Sequence, residues 1–490
     1  MDNSNPDRII NLYEYANQES LSGDEKPLED FLDEIWNNRD KKDFSYQTDT
    51  GNEESYDNAI ASKQKFLTFL KNGDIKSRKY VGIIKFDNQV INLLPKIFYR
   101  DDQSTPNEKE VKAIQANILW WLSYCKKIKF PKSSSSLSSI KSNFFEILIY
   151  LFASYTKHIL GNCLYQSYND VQKELGFMKG RLNTQSYLTQ NISKGNWHKI
   201  SCSYASFEFD NLFNRIIKSV ATILIGTSKN FENKQLLSEI LFILDEVSDI
   251  RATYDDCQKV KLNPLFEEMN SILDYCKLFL ANSVSFSYKN QFKVFAFLLP
   301  MEYVFEDFLY GFIEKHFKGN PDIKKLKSQK SDLYLAKLFQ KNKLVKNEVF
   351  NLQHDIYFKY KGKKVIVDAK YKLTYTTEKN QNIQDNKHGV SQSDLYQVVS
   401  YGIRRNATDI FLIYPQTLDA QMNSTHNGSI QFKVHDELAG KDININIIKI
   451  SIIHNEYPEI NTEKNLQKNF SDTESNLYEK LDNSLFSIKE

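Results

Sequence analysis

Residues 354–372 read HDIYFKYKGKKVIVDAKYK. Lys361-Gly362 lies between two β-rich runs, and glycine supplies the positive φ that a tight turn needs. A two-residue hairpin loop at that point pairs Tyr360 with Lys363. Counting outward in step sets Asp355 opposite Asp368, on one side of the ladder. Two carboxylates facing each other across a strand pair repel. A divalent cation between them removes that cost. Oxygen ligands of this kind suit magnesium, which takes one or two carboxylates and keeps several waters. Side chains two apart share a strand face, so Lys370 points the same way as Asp368. An ammonium beside a metal-bound water lowers that water's pKa, orients it, or stabilises a pentavalent phosphate transition state. The plain reading of the same residues is a strand end reaching water, with Lys370 neutralising Asp368; a one-residue bulge would break the register.

The flanking segments bear on the choice. Glu302 and Glu306 are one helical turn apart on a helix expected at 298–317. Glu306 sits among Val304, Phe305, Phe308 and Leu309, an apolar frame in which an unpartnered glutamate is costly. It is the candidate third carboxylate, with an exposed helix stripe as the alternative. After the hairpin, SQSDLYQVVSYGIRR (391–405) reads as a helix at 393–405 with Ser393 as its N-cap. Gln397 and Tyr401 are four apart, project from one face, and can orient Lys370 or a phosphate; a partly exposed amphipathic helix has the same spacing.

The chain of 490 residues is too long for one ordinary core, so two or three domains are expected. With 33 Phe and 28 Tyr it has the large apolar side chains that cores need, and its formal charge of +2 announces no nucleic-acid partner globally. The start, MDNSNPDRII, has no basic and apolar signal region, and no run is long and apolar enough to span a bilayer. The cysteines, Cys125, Cys163, Cys202, Cys257 and Cys276, are widely spaced without a Cys-x-x-Cys. They read as reduced, mostly buried thiols of a cytoplasmic protein rather than as a zinc ribbon.

Along the chain, residues 1–105 read as a small N-terminal β-containing domain. Helix-like islands lie at 27–37 and 59–71, and a hairpin at 79–97 turns at Asp87-Asn88. Residues 106–289 read as a helical middle region, with helices at 113–128, 142–168, 207–226 and 235–249. Residues 290–455 mix strands and helices and read as an α/β domain, with strand signal at 354–371, 409–414, 429–434 and 442–453. Ten lysines stand between Lys315 and Lys346 against Asp322 and Asp332. That segment is either a DNA-backbone track or a solvated surface of helix and loop. The polar tail, 456–490, is expected to be poorly ordered or locally helical. The whole reads as a multidomain α+β chain.

Taken together, Glu306, Asp355, Asp368-Ala369-Lys370 and Gln397-x-x-x-Tyr401 resemble the PD-(D/E)xK nuclease superfamily. His354 stands where that name has proline. Upstream, residues 175–220 resemble the central signature of the McrC family, the nuclease subunits of McrBC-type, modification-dependent restriction systems. The matching pieces are Lys179-Gly180-Arg181, Cys202-Ser203-Tyr204, Asp210 and Asn214-Arg215-Ile216-Ile217-Lys218. VINLLPKI at 90–97 resembles the family's N-terminal strand ending in Pro-Lys-Ile. The resemblance implies a C-terminal PD-(D/E)xK endonuclease domain cutting double-stranded, methylated DNA with Mg²⁺. It makes Asp355, Asp368 and Glu306 the metal ligands, with Lys370, Gln397 and Tyr401 completing the catalytic set. It also implies that the N-terminal domain docks on a McrB-like AAA+ GTPase hexamer and stimulates its GTPase. GTP would be bound by that partner, and this chain has no G-x-x-x-x-G-K-[ST] of its own. The Lys179-Gly180-Arg181 piece has a structural reading, as a turn between helical and extended segments. Two competing readings are a non-catalytic adaptor that activates an AAA+ ring and a stand-alone repair or recombination nuclease.

Overall fold

The computed structural model describes residues 8–23, 25–37, 64–86, 89–100, 105–126, 144–281, 283–286, 291–340, 342–373, 389–422, 430–437, 440–460 and 466–486. They fall into two compact units, one built from 1–144 together with 296–490, the other from 145–295. The N-terminal segment and the hairpin that carries Asp355 and Asp368 therefore share a unit. No helix among the described residues is long and apolar enough to cross a membrane.

The first unit opens with β1 (Arg8–Tyr13), β2 (Gln18–Ser20), α1 (Lys26–Asn37), β3 (Leu67–Phe69), β4 (Asp74–Ser77), β5 (Tyr80–Phe86), β6 (Gln89–Leu94) and α2 (Glu108–Tyr124). β5 and β6 form the expected antiparallel hairpin, and β1 runs parallel to β6. The turn residues Asp87-Asn88 lie outside the described residues. The island at 27–37 folds as α1, burying Leu28, Phe31, Leu32, Ile35 and Trp36 on one stripe. The island at 59–71 differs: its first five residues lie outside the described set, and Leu67–Phe69 is a strand paired to β4.

The second unit contains α3 (Phe144–Asn162), β7 (Ser167–Leu175), β8 (Arg181–Leu182), α4 (Thr184–Ser186), β9 (Ile200–Glu208), α5 (Leu212–Thr227), α6 (Phe231–Ile243), α7 (Tyr254–Lys259), α8 (Glu267–Ala281) and β10 (Ser283–Phe286). It is not all helix, as the sequence suggests. The end of the helix expected at 142–168 becomes β7, which pairs with β9 from Ser167↔Glu208 to Leu175↔Ile200. Pairing to a distant strand outweighs local preference here. Lys179-Gly180-Arg181 leads into β8, so it turns between strands rather than between helix and strand. Gly180 has φ +70°, and a Cβ there would lie 2.5 Å from the Ser203 carbonyl oxygen. Four of the five cysteines are buried and Cys163 is exposed, and no disulfide joins any of them.

The block 210–218 has a structural explanation. Asn211 caps α5. The buried Asn214 amide donates to the Tyr165 and Phe209 carbonyl oxygens at 2.9 and 2.8 Å. The Arg215 guanidinium grips Asp210 at 2.6 and 2.9 Å and holds its carboxyl well below the usual carboxylate range. Asp210 also accepts from the Ser248 hydroxyl at 2.6 Å, and Lys218 donates to the Val247 carbonyl oxygen at 2.6 Å. These contacts tie the start of α5 to the chain before it and to the loop after α6. Replacing Asn214 by Ala removes two hydrogen bonds, to carbonyls that Asn211 also serves, and is expected to cost about 1–3 kcal/mol for the two together. Chemical denaturation measures the loss, and an unchanged midpoint would remove this role.

The chain returns to the first unit through β11 (Gln291–Pro300), followed by α9 (Met301–Phe317), β12 (Ile323–Gln340), β13 (Lys343–Tyr360), β14 (Lys363–Ala369), α10 (Gln392–Arg405), β15 (Asp409–Pro415), α11 (Leu418–Met422), β16 (Ile430–Asp436), β17 (Lys441–Ile450), α12 (Leu466–Asn469) and α13 (Ser471–Leu485). The helix expected at 298–317 starts only at Met301, because Pro300 closes a strand and holds the preceding backbone extended. Beyond α9 the lysine-rich segment is a short turn at 318–322 and then strand. It runs into β12 and β13, two 18-residue strands paired antiparallel with several register shifts. The sheet order is β12-β13-β14-β15-β17-β16, parallel at β14–β15 and β15–β17. α10 is the crossover between parallel β14 and β15. It lays Val398 and Tyr401 on Ile366, Ile410, Leu412 and Ile445. Its N-cap is Ser391 rather than Ser393, and Asn406 at φ 53° ends it in the left-handed region. In the tail, α13 buries Leu477, Leu481 and Leu485, and Phe486 packs against Phe358 and Tyr360. The tail is thus part of the core that covers β13.

Candidate active site

The register of β13 and β14 is the one the turn dictates, from Tyr360↔Lys363 to Ile356↔Val367. Lys361 and Gly362 have φ of 46° and 84°, the two positive values of a type I′ loop. One step further along this register stand Asp355 and Asp368. Asp355 Oδ2 accepts the Ala369 N–H at 2.7 Å. The Lys370 N–H donates to the Ile413 carbonyl oxygen at 2.8 Å, so β15 steadies the chain just past the end of β14.

Asp368 is 1 % exposed. Its Oδ2 lies 2.6 Å from Lys370 Nζ. At that separation the two form an ion pair. Asp368 Oδ1 has no hydrogen-bond partner among the described residues. Lys370 Nζ also donates to Gln397 Oε1 at 3.1 Å, and Gln397 Nε2 donates to the Tyr401 hydroxyl at 2.6 Å. Sequence spacing placed Gln397 and Tyr401 on one helix face; packing of α10 on the sheet turns that face toward Lys370. Glu306, on α9, is half-buried, and its charge is felt at Asp355. Glu302 is exposed.

The electrostatics follow from burial. Both aspartates are pushed above the usual carboxylate range, first by burial. Asp355 is raised further by Asp368 and Glu306, while Lys370 opposes the rise at both. Burial would lower the Lys370 pKa, but Asp368 and Asp355 outweigh it and hold the ammonium protonated. Burial raises the Tyr401 hydroxyl, with Asp368 adding to the effect. Two carboxylates therefore share one ammonium in a site largely withdrawn from water, an arrangement that favours additional positive charge.

Several neighbours were not foreseen. The ring of His354, fully buried, packs 4.4 Å from that of Tyr401, and Arg405 Nε lies 3.4 Å from His354 Nε2. Lys372 Nζ pairs with buried Asp394 at 2.7 and 2.9 Å, and the Tyr414 hydroxyl lies 3.5 Å from the same carboxylate. His354 is signalled by its place beside Asp355. Nothing in the sequence sets Asp394 beside Lys372, because the long connection between them carries no register.

The donors fit a hard divalent cation in part. The buried, unpartnered Asp368 Oδ1 and the facing Asp355 carboxylate are oxygen donors of the kind magnesium takes one or two of. Among the described residues no group of three or more His, Cys, Asp or Glu gathers as a ready metal cage. Glu306, half-buried on α9, is the further carboxylate whose charge reaches Asp355.

A family model described as "McrBC 5-methylcytosine restriction system component" matches residues 75–415, which include all six candidate residues. The chain belongs to the McrBC family. No curated protein matches it. Among solved structures, a chain of the "Refined half-complex from tetradecameric assembly of Thermococcus gammatolerans McrB AAA+ hexamers with bound McrC" is similar. Its TM-score is 0.62 at 19 % identity, over 95 % of this chain and 99 % of that one. A chain of the "Cryo-EM structure of the Thermococcus gammatolerans McrBC complex" matches with a TM-score of 0.46 and 22 % identity, over 62 % of this chain and 86 % of that one. At such identities the first likeness speaks for the fold of this McrBC-family chain alone. The residues of the site rest on the geometry above.

Proposed function

We propose that this chain is the nuclease subunit of a McrBC-type restriction complex, hydrolysing DNA phosphodiester bonds at a PD-(D/E)xK-like site with Mg²⁺. The observation that carries the reading is the pair of half-buried Asp355 and buried Asp368, with Lys370 ion-paired to Asp368 and backed by Gln397 and Tyr401. Asp355 and Asp368 would hold Mg²⁺, with Glu306 as a further carboxylate nearby. When bound, the ion supplies Lewis-acid charge to the scissile phosphate and makes hydroxide accessible near neutral pH. Lys370, kept cationic by the aspartates, orients the attacking water and faces the negative charge that develops on phosphate. Gln397 holds the ammonium in place, and the Tyr401 hydroxyl holds Gln397. Packing of α10 over the sheet keeps bulk water from the aspartates and so strengthens each of these interactions. The lysines of β12 and β13 lie in the same sheet as the site and suit the DNA backbone by charge.

The partner in this reading is a McrB-like AAA+ GTPase hexamer that binds GTP, recognises methylated DNA and delivers it, in the cytoplasm. The family match supports this. So does the second unit, which exposes Tyr168, Phe177, Met178, Trp197 and Phe207, surface of the kind that marks a protein contact. Reconstitution with the AAA+ protein tests the proposal on methylated and unmethylated plasmid. Cleavage is expected only with the partner, GTP and Mg²⁺ together, and EDTA should stop it. Magnesium-dependent cutting that needs neither partner nor GTP would make the chain a stand-alone nuclease. GTPase stimulation without any cutting would make it an adaptor.

A further inference from the structure

The chain just after the aspartate–lysine strand is held from a second side, by groups the proposed chemistry does not use. The Tyr371 hydroxyl donates to Glu14 Oε2 at 3.0 Å. The same oxygen accepts the Lys96 N–H at 3.1 Å. Lys96 Nζ donates to the Tyr371 carbonyl oxygen at 3.0 Å and lies 4.6 Å from the centroid of its ring. The Phe305 ring, next to Glu306, packs 6.0 Å from that of Tyr371. Glu14 and Tyr371 are each 2 % exposed. Glu14 directly follows β1, and its N–H donates to the carbonyl oxygen of Leu94, the last residue of β6. Two strands of the N-terminal sheet thus converge, through one carboxylate and one lysine, on the residue beside Lys370.

This network is an expensive way to fill space. Glu14 Oε1 has no hydrogen-bond partner among the described residues, and a buried polar atom left unmet is costly. Burial pushes the Glu14 carboxyl up to about 7 against the opposing pull of Lys96. An apolar pair would pack the same volume without that cost. What the polar network adds is direction, since each of its bonds fixes a position along the backbone at 371. On the other flank, Gln397 holds Lys370 and Asp394 holds Lys372. The three-residue segment 370–372 is therefore set from both sides.

We propose that Glu14, Lys96 and Tyr371 are positioning residues for Lys370, forming a latch through which the N-terminal sheet sets where the lysine reaches. The proposal rests on the nuclease reading above. Tyr371→Phe keeps the ring against Phe305 and Lys96 and removes only the bond to Glu14. Glu14→Ala removes the acceptor, and Glu14→Gln restores one. The full chain assembled with its AAA+ partner is assayed for single-turnover cleavage at saturating Mg²⁺ and DNA. Tyr371→Phe and Glu14→Ala are expected to slow the cleavage step by about tenfold or more, as displacements near 1 Å do. DNA affinity, GTPase stimulation and melting temperature should change little in Tyr371→Phe, and Glu14→Gln should recover most of the rate. Wild-type cleavage by Tyr371→Phe while Asp368→Ala is inactive overturns the latch alone. So does a slowing in Tyr371→Phe that merely follows a lowered melting temperature. Wild-type cleavage by Asp368→Ala overturns the nuclease reading instead.

Discussion

Asp368→Asn is expected to abolish DNA cleavage and at the same time to stabilise the metal-free protein. The first effect follows from the loss of a buried anionic oxygen donor. A metal's charge stabilisation is worth several kcal/mol, so the rate should fall by roughly three orders of magnitude. The second follows from counting charge. Asp355 and Asp368 stand one step beyond the last ladder pair with one ammonium, ion-paired to Asp368, for both, and Asp368 Oδ1 has no partner among the described residues. With asparagine at 368, Lys370 still has an oxygen acceptor beside it and balances Asp355 one to one. The expected gain comes from removing one of two neighbouring like charges that a single ammonium has to balance. Under the proposed metal site, activity and stability pull apart because the charge that binds the ion is a cost to the fold by itself.

The pH dependence has a definite sign. Both aspartates have folded pKa values raised above the ordinary carboxylate range, whereas in the unfolded chain they titrate near roughly 4. Over that interval the folded protein holds protons that the unfolded chain has released, so the stability of the metal-free protein falls as pH rises through the folded values. Mg²⁺ competes with those protons, and the melting-temperature gain it gives should grow with pH. Asp368→Asn should flatten both trends. A Mg²⁺ gain that stays constant from acid to neutral pH, or an Asp368→Asn protein that cleaves normally, would remove the aspartate pair from the metal site.

Lys370→Met is the converse case. It conserves volume but removes the ammonium that both aspartates face. Cleavage should fall by about 10²–10⁴-fold, the range for a lost proton-transferring or charge-stabilising side chain. Stability should fall as well, by about 3–5 kcal/mol near neutral pH, because breaking a buried pair leaves uncompensated charge behind. The loss should shrink in acid, where the aspartates take up protons and no longer need the cation. The Lys370 side chain is 16 % exposed, so solvent screening does little to soften the effect. Chemical denaturation at two pH values, beside the cleavage assay, reads both outcomes. A Lys370→Met protein as stable as the parent at neutral pH would show that the lysine does not neutralise the pair.

Much of the site is legible in the chain because short-range rules govern it. A two-residue turn at Lys361-Gly362 sets a register, and the register delivers Asp355 to Asp368 without further information. Helical spacing alone puts Gln397 and Tyr401 on one face. Other features have no such local rule. β12 and β13 are long strands because each finds a partner, not because their lysine-rich sequence favours extension. The helix expected to run through Ser167 gives way to a strand for the same reason. The polar tail earns its place through Leu477, Leu481, Leu485 and Phe486, whose burial depends on a face offered by β13.

By itself the sequence determined the hairpin, the order of the candidate residues and the family resemblance, since periodicity, turn chemistry and motif spacing act between residues near each other along the chain. Tertiary structure alone decided that the charge of Glu306 reaches Asp355, that Asp394 takes Lys372, and that Glu14 and Lys96 reach Tyr371 from 357 and 275 positions away. Those contacts depend on how whole elements pack. Packing is settled by the joint burial of many side chains, and no local pattern encodes it.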